Sequence, residues 1–121
     1  MKNYLTKKRY YDKLCRHVCN TIGIEVKLLT LKKGKYYIRW APVIDAKRLI
    51  VYYLREYSAF TTTEIGLLMG VDHSTAIHHV RKAEGFYQHY EWFRTQFNTI
   101  HTKMNDEYAF KQNILYSIKN V

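Results

Sequence analysis

Residues 61–86, TTTEIGLLMGVDHSTAIHHVRKAEGF, constrain this chain more than any other stretch. Thr61 with Glu64 three residues on is a capping-box pattern, which satisfies two amides that a helix start otherwise leaves unpaired. Phe60 and Ile65 stand at the two positions of a hydrophobic staple. Ile65, Leu68 and Met69 share one face of a short helix. Gly70-Val71 interrupts it, because glycine enters a left-handed turn without a Cβ penalty. Asp72 can cap a second helix that opens with His73, Ser74 and Thr75. The inward face of that helix is Ala76, Ile77, Val80, Ala83 and Tyr87, while His73, Ser74, His78, Arg81 and Lys82 point elsewhere. The expectation is a helix-turn-helix whose second helix has the form of a major-groove reader.

The flanks also read as helical. Residues 6–22 place Tyr10, Leu14, Val18 and Ile22 at i, i+4 steps beneath a basic outer surface. Cys15 and Cys19 lie on the same helix with His17 between them. No second cysteine pair exists to complete a zinc site, so two small buried thiols are expected. Gly23 ends the helix, and Ile24–Leu31 is a helical turn or a brief strand, with the helix preferred. Lys32-Lys33-Gly34-Lys35-Tyr36-Tyr37-Ile38-Arg39-Trp40 reads as a basic loop interleaved with aromatics; a hairpin turning at Lys33-Gly34 is the alternative. Pro42 suits the start of a central core helix over 43–57, with Lys47, Arg48 and Arg55 exposed on it. Beyond Gly85, Phe93, Phe97, Ile100 and Met104 recover helical spacing. Asn105-Asp106 reads as a break and a new cap before an amphipathic helix over 107–119, which either folds back or pairs with another copy. The expected fold is all-α: a domain over 1–104 within a bundle of six to seven helices, and an appended C-terminal helix over 105–121.

The net charge of +10 is unevenly placed. Residues 1–60 hold 14 Lys+Arg against 4 Asp+Glu, and residues 61–121 hold 6 against 6. A basic first half feeding a neutral reading unit fits a phosphate clamp beside a base reader, since backbone contacts position and base contacts specify. His73 and Ser74 carry donors and acceptors suited to base edges, and Thr75 suits a phosphate or a thymine methyl. Asp72 either caps its helix or accepts from a cytosine amino group. Lys32, Lys33 and Lys35 suit phosphates, and Arg39 a minor groove. Tyr36, Tyr37 and Trp40 stack on bases only in a single strand, and more often such aromatics pin a loop to the core. Walker-type phosphate loops, G-x-S-x-G, H-E-x-x-H and clustered carboxylates are all absent, so neither an enzyme nor a nucleotide, metal or other cofactor is expected. His73 and His78, five apart, fall on different helix faces, and His79 reads as packed or solvent-facing. No run of about 18 apolar residues spans a membrane, and the charged N-terminus is unlike a signal peptide, which points to a cytoplasm.

Glu64-Ile65-Gly66, Asp72-His73-Ser74-Thr75, Ala76-Ile77, His78 and Arg81-Lys82 closely resemble the signature of the C-terminal DNA-binding domain of the bacterial replication initiator DnaA. The resemblance covers most of residues 10–104, with a strong motif at its centre and weaker flanks. It implies an all-helical, TrpR/DnaA-domain-IV-like fold that binds a short asymmetric duplex from both grooves. Asp72, His73 and Ser74 would then meet base edges. Thr75, His78, Lys82, Arg55 and Lys47 would hold phosphates, and Arg39 would be the minor-groove arginine. Thr63 replaces the family proline, the turn before Asp72 is one residue shorter, and the basic loop is longer. The initiator's ATPase domain has no counterpart, nor do residues 105–121, so a stand-alone reader is expected, of a kind that suits a bacteriophage or mobile element. Double-stranded DNA is thus the expected partner, with Asp72, His73, Ser74 and Arg39 at base edges. Lys32, Lys33, Lys35, Lys47, Arg48, Arg55, Thr75, His78, Arg81 and Lys82 are expected at phosphates. The function implied is control of replication initiation or of transcription. A protein-interaction adaptor, with a homo-oligomer or protein partner on the C-terminal helix, is the alternative, and single-strand or RNA binding is the third reading.

Overall fold

The apolar run expected over 43–57 forms the axis of the molecule. It is the helix α2 (Ala41–Tyr57), and Val43, Leu49, Ile50, Val51 and Leu54 on it are fully buried. The structure is a computed structural model describing the backbone of residues 2–119 and the side chains of residues 4–105. Around α2 pack α1 (Lys2–Ile22), α3 (Thr62–Met69), α4 (His73–His89) and α5 (Glu91–Lys119). Leu14, Val18, Cys15 and Cys19 bury the inner face of α1, and both thiols are free. Phe93, Phe97, Ile100 and Met104 bury that of α5. No helix among the described residues is long and apolar enough to cross a membrane.

The class is all-α, but among the described residues five α-helices stand where six to seven were expected. Two local outcomes account for the difference. Val26–Leu29 closes only a single 3₁₀ turn, pinned by buried Leu29, because Gly23 and the hairpin leave too few residues for an α-helix. Asn105-Asp106 does not break the last helix: α5, 29 residues long, runs through it. Asn105 Nδ2 lies 3.1 Å from His101 Nε2 one turn back, which engages the side chain within the helix instead of at a new cap. The side chains of the expected amphipathic face over 107–119 lie outside the described residues. The basic loop is the hairpin alternative, β1 (Lys32–Lys33) and β2 (Tyr36–Tyr37), with Lys32 opposite Tyr37 and Lys33 opposite Tyr36.

The α3–turn–α4 unit follows its local chemistry closely. Thr61 Oγ1 accepts from the Glu64 amide at 3.1 Å, and Glu64 Oε1 accepts from the Thr61 amide at 3.0 Å, so both halves of the capping box are made. Phe60 and Ile65 are both buried. Gly70 closes α3 at φ 72°, a left-handed conformation that would strain a side-chain-bearing residue. Gly66 has a different role. A Cβ there would lie 3.0 Å from the Val71 carbonyl oxygen, so its absence lets the turn fold onto α3.

Candidate nucleic-acid interface

The α3–turn–α4 unit is held by three contacts. Asp72 Oδ1 accepts from the Thr75 amide at 2.7 Å and caps α4, and that bond holds its carboxyl below the ordinary aspartate range. The Lys7 ammonium pairs with the Glu64 carboxylate, tying α1 to the start of α3. In the third, the Tyr37 hydroxyl donates to the Gly70 carbonyl at 3.0 Å, fastening the hairpin to the turn.

His73, Ser74, His78, Arg81 and Lys82 are exposed on α4, outside its buried stripe of Ala76, Val80 and Ala83. His73 Nε2 lies 2.7 Å from Thr62 Oγ1, a hydrogen bond across the turn that orients the ring and leaves Nδ1 as its other polar atom. A cleft of about 540 Å³ runs between the hairpin, α2 and α4, and it brings together Arg39, Lys47, Arg48, Asp72, Thr75 and His78 of the expected set. Lys32, Lys33, Lys35, Arg55, His73, Ser74, Arg81 and Lys82 lie outside its lining. Lys32 Nζ sits 4.8 Å from the centre of the Tyr37 ring, and Lys35 Nζ 5.6 Å from that of Tyr36. Arg55, exposed as expected, donates one N–H to the Phe60 carbonyl at 3.0 Å and so braces the link between α2 and α3.

Two residues expected to be exposed are not. Lys47 is only 7% exposed, and Arg48 is half-buried with its guanidinium 4.8 Å from the centre of the Phe86 ring. Position on the helix explains the correction for Lys47, which stands four residues after Val43 and three before Ile50, on the inner stripe of α2. Its ammonium sits 4.4 Å from the centre of the Tyr37 ring, where the negative π-face offsets part of the cost of removing a cation from water. Burial nevertheless lowers its pKa.

No family model matches this chain, and no curated protein matches it. The geometry therefore carries the functional argument.

Two further residues belong to the candidate site. Tyr37 is half-buried and joins hairpin to turn, whereas Tyr36 and Trp40 are 65% and 57% exposed. The pinning expected of all three aromatics is made by one. The signal for Tyr37 was weak, since a strand of two residues offers one alternation to read. His79 lines the cleft beside Lys47 and Arg48, with Nδ1 buried and lacking a hydrogen-bond partner. It stands three residues after Ala76 and four before Ala83, a spacing that marks the inner side of α4.

Proposed function

We propose that this chain is a sequence-specific double-stranded DNA-binding protein, a binding module and not an enzyme. In this reading α3, the turn and α4 act as a helix-turn-helix of the kind carried by the C-terminal domain of the DnaA family. The first turn of α4 enters a major groove, His73 and Ser74 meet base edges, and Asp72 caps the helix while its other oxygen is placed to accept from a base. Arg39 reaches the adjacent minor groove. Lys32, Lys33 and Lys35 on the hairpin, with Arg81 and Lys82 on α4, neutralise phosphates. Sites similar to the DnaA box are the proposed targets, and control of replication initiation or transcription in a cytoplasm or nucleoid is the proposed role.

One observation carries this reading: the turn that leads into the exposed, polar and capped first turn of α4 is bonded at Gly70, through Tyr37, to a basic hairpin. Base reader and phosphate clamp are thereby held at a fixed separation before any partner arrives, which lowers the ordering cost of binding. Selection of bound duplexes from a random pool is the test. Enrichment of a DnaA-box-like sequence is expected, and absence of any enriched sequence would favour the adaptor reading. On the selected site, His73→Ala or Ser74→Ala should weaken binding by about 1–3 kcal/mol with little change on random duplex. Equal losses on both would refute the base-reading role.

A further inference from the structure

The cleft between the hairpin and α4 has a charge imbalance at depth. Lys47, at 7% exposure, has no carboxylate within ion-pairing distance among the described residues. Arg48 Nε and His79 Nδ1 are both buried without a hydrogen-bond partner. All three residues line the same cleft, and Arg39 and His78 add further basic groups to its wall. Asp72 is the one carboxylate in the lining, and its Oδ1 is engaged by the Thr75 amide. Asp45, three residues before Arg48, is half-buried and outside the lining; it lies within electrostatic reach of Arg48 and offsets part of its charge, but makes no hydrogen bond to its Nε.

A buried polar group without a partner has lost its hydration with nothing in return, and the loss is greater when the group is charged. Two such groups on two packed helices, with the Lys47 ammonium beside them resting only on the Tyr37 ring, line an opening large enough for a ligand and indicate an acceptor supplied from outside. A carboxylate holds its two oxygens in one plane, whereas a phosphoryl group disposes its oxygens tetrahedrally, which suits donors drawn from α2 and α4 together. We propose that the cleft is a receptor for a single phosphoryl group, with Lys47, Arg48 and His79 as its ligands. His79 is the new member of this set. Its neutral ring donates from Nδ1–H, and a docked anion favours uptake of a second proton at Nε2. A phosphodiester of a duplex backbone and a free phosphate ester present the same chemistry. In the first case the site deepens the DNA-binding reading above and rests on it; in the second it stands alone.

The experiment follows amide NMR shifts of the full chain during titration with inorganic phosphate, at constant ionic strength set by chloride. A parallel arm measures affinity for a random-sequence duplex. Both arms are repeated with Lys47→Met and His79→Gln. Lys47→Met keeps the packed stem and removes a buried charge, so it should fold, and His79→Gln provides an independent variant of similar size. Saturable shifts around residues 47–48 and 75–79 are expected in the wild type, with phosphate or duplex affinity falling about tenfold or more in both variants. Loss of duplex affinity identifies a backbone phosphate as the ligand. Loss confined to inorganic phosphate identifies a free phosphate ester. Unchanged binding of both ligands in both variants would overturn the site, whether or not the chain binds DNA. Failure of the wild type to bind any duplex would overturn the DNA reading and leave a phosphate-saturable cleft standing.

Discussion

The imidazole of His79 is held where its charge is opposed. Burial first, then Arg48, Lys47 and His78, push its pKa down to about 4. An unfolded histidine titrates near about 6.5, so on acidification the unfolded chain takes up the proton first. Stability linked to His79 is therefore full above about pH 6.5 and declines as pH falls towards about 4. Denaturant unfolding at pH 7, 6 and 5 should show this decline, and His79→Gln should flatten it over that window; an identical slope in the variant would refute the assignment. The carboxylates act in the same sense at lower pH, since Glu64, held down by Lys7 and the Thr61 amide, loses its stabilising contribution only as it protonates. At the turn, Gly70→Ala should cost about 1–2 kcal/mol, because φ is 72° and the new Cβ would meet the Tyr37 hydroxyl oxygen at 2.9 Å. Tyr37→Phe alone should cost about 0.5–1.5 kcal/mol. Residues in contact do not behave additively. The double variant should therefore be less destabilised than the sum of the two, and strict additivity would refute the contact. Lys47 occupied an inward position that spacing alone marked, but its charge argued for solvent; His79, expected as packed or solvent-facing, has its Nδ1 buried. At Lys47 pattern and residue type gave opposite answers, and the pattern prevailed.

Among the elements, α3 and the start of α4 were readable because their ends are fixed by neighbours within three or four residues. Thr61, Glu64, Gly70 and Asp72 each do in the structure what their local chemistry requires. Thr61→Ala should accordingly lower stability by about 1 kcal/mol. Lys7→Ala should lower it by less, since the pair it makes with Glu64 is half-exposed, and its effect should shrink at high salt. Calorimetric unfolding at two salt concentrations separates the two, and a salt-insensitive Lys7 effect would contradict the ion-pair account. The hairpin was less readable because its two-residue strands are held by long-range partners, Gly70 and Lys47, that no local pattern reveals. Continuity of α5 through Asn105 was equally hidden, depending on His101, which in turn lies 3.0 Å from the Tyr53 hydroxyl on α2.

Across the whole molecule, the excess positive charge and the α3–turn–α4 unit lie in different halves of the chain and are rejoined in space. The charge asymmetry was plain in the sequence; the cleft where hairpin, α2 and α4 meet was not, because it depends on how helices distant in sequence pack. A duplex contacting about six to ten phosphates should give a log–log salt slope of about −5 to −9. Lys33→Ala with Lys35→Ala should flatten that slope by about 2 on cognate and random duplexes alike, and a sequence-dependent effect would refute a pure phosphate role. The bond between Tyr37 and Gly70 has a kinetic corollary. The Ile38 amide is bonded to the Leu31 carbonyl at the base of the hairpin, and the Val71 amide to the Gly66 carbonyl in the turn. If one fastening holds both, neither amide reaches solvent without the other, and their native-state hydrogen exchange should report a single opening free energy. In Tyr37→Phe the two rates should separate, the hairpin becoming the faster. The hairpin and the turn, 33 residues apart at their fastening, would then count as one unit of local unfolding.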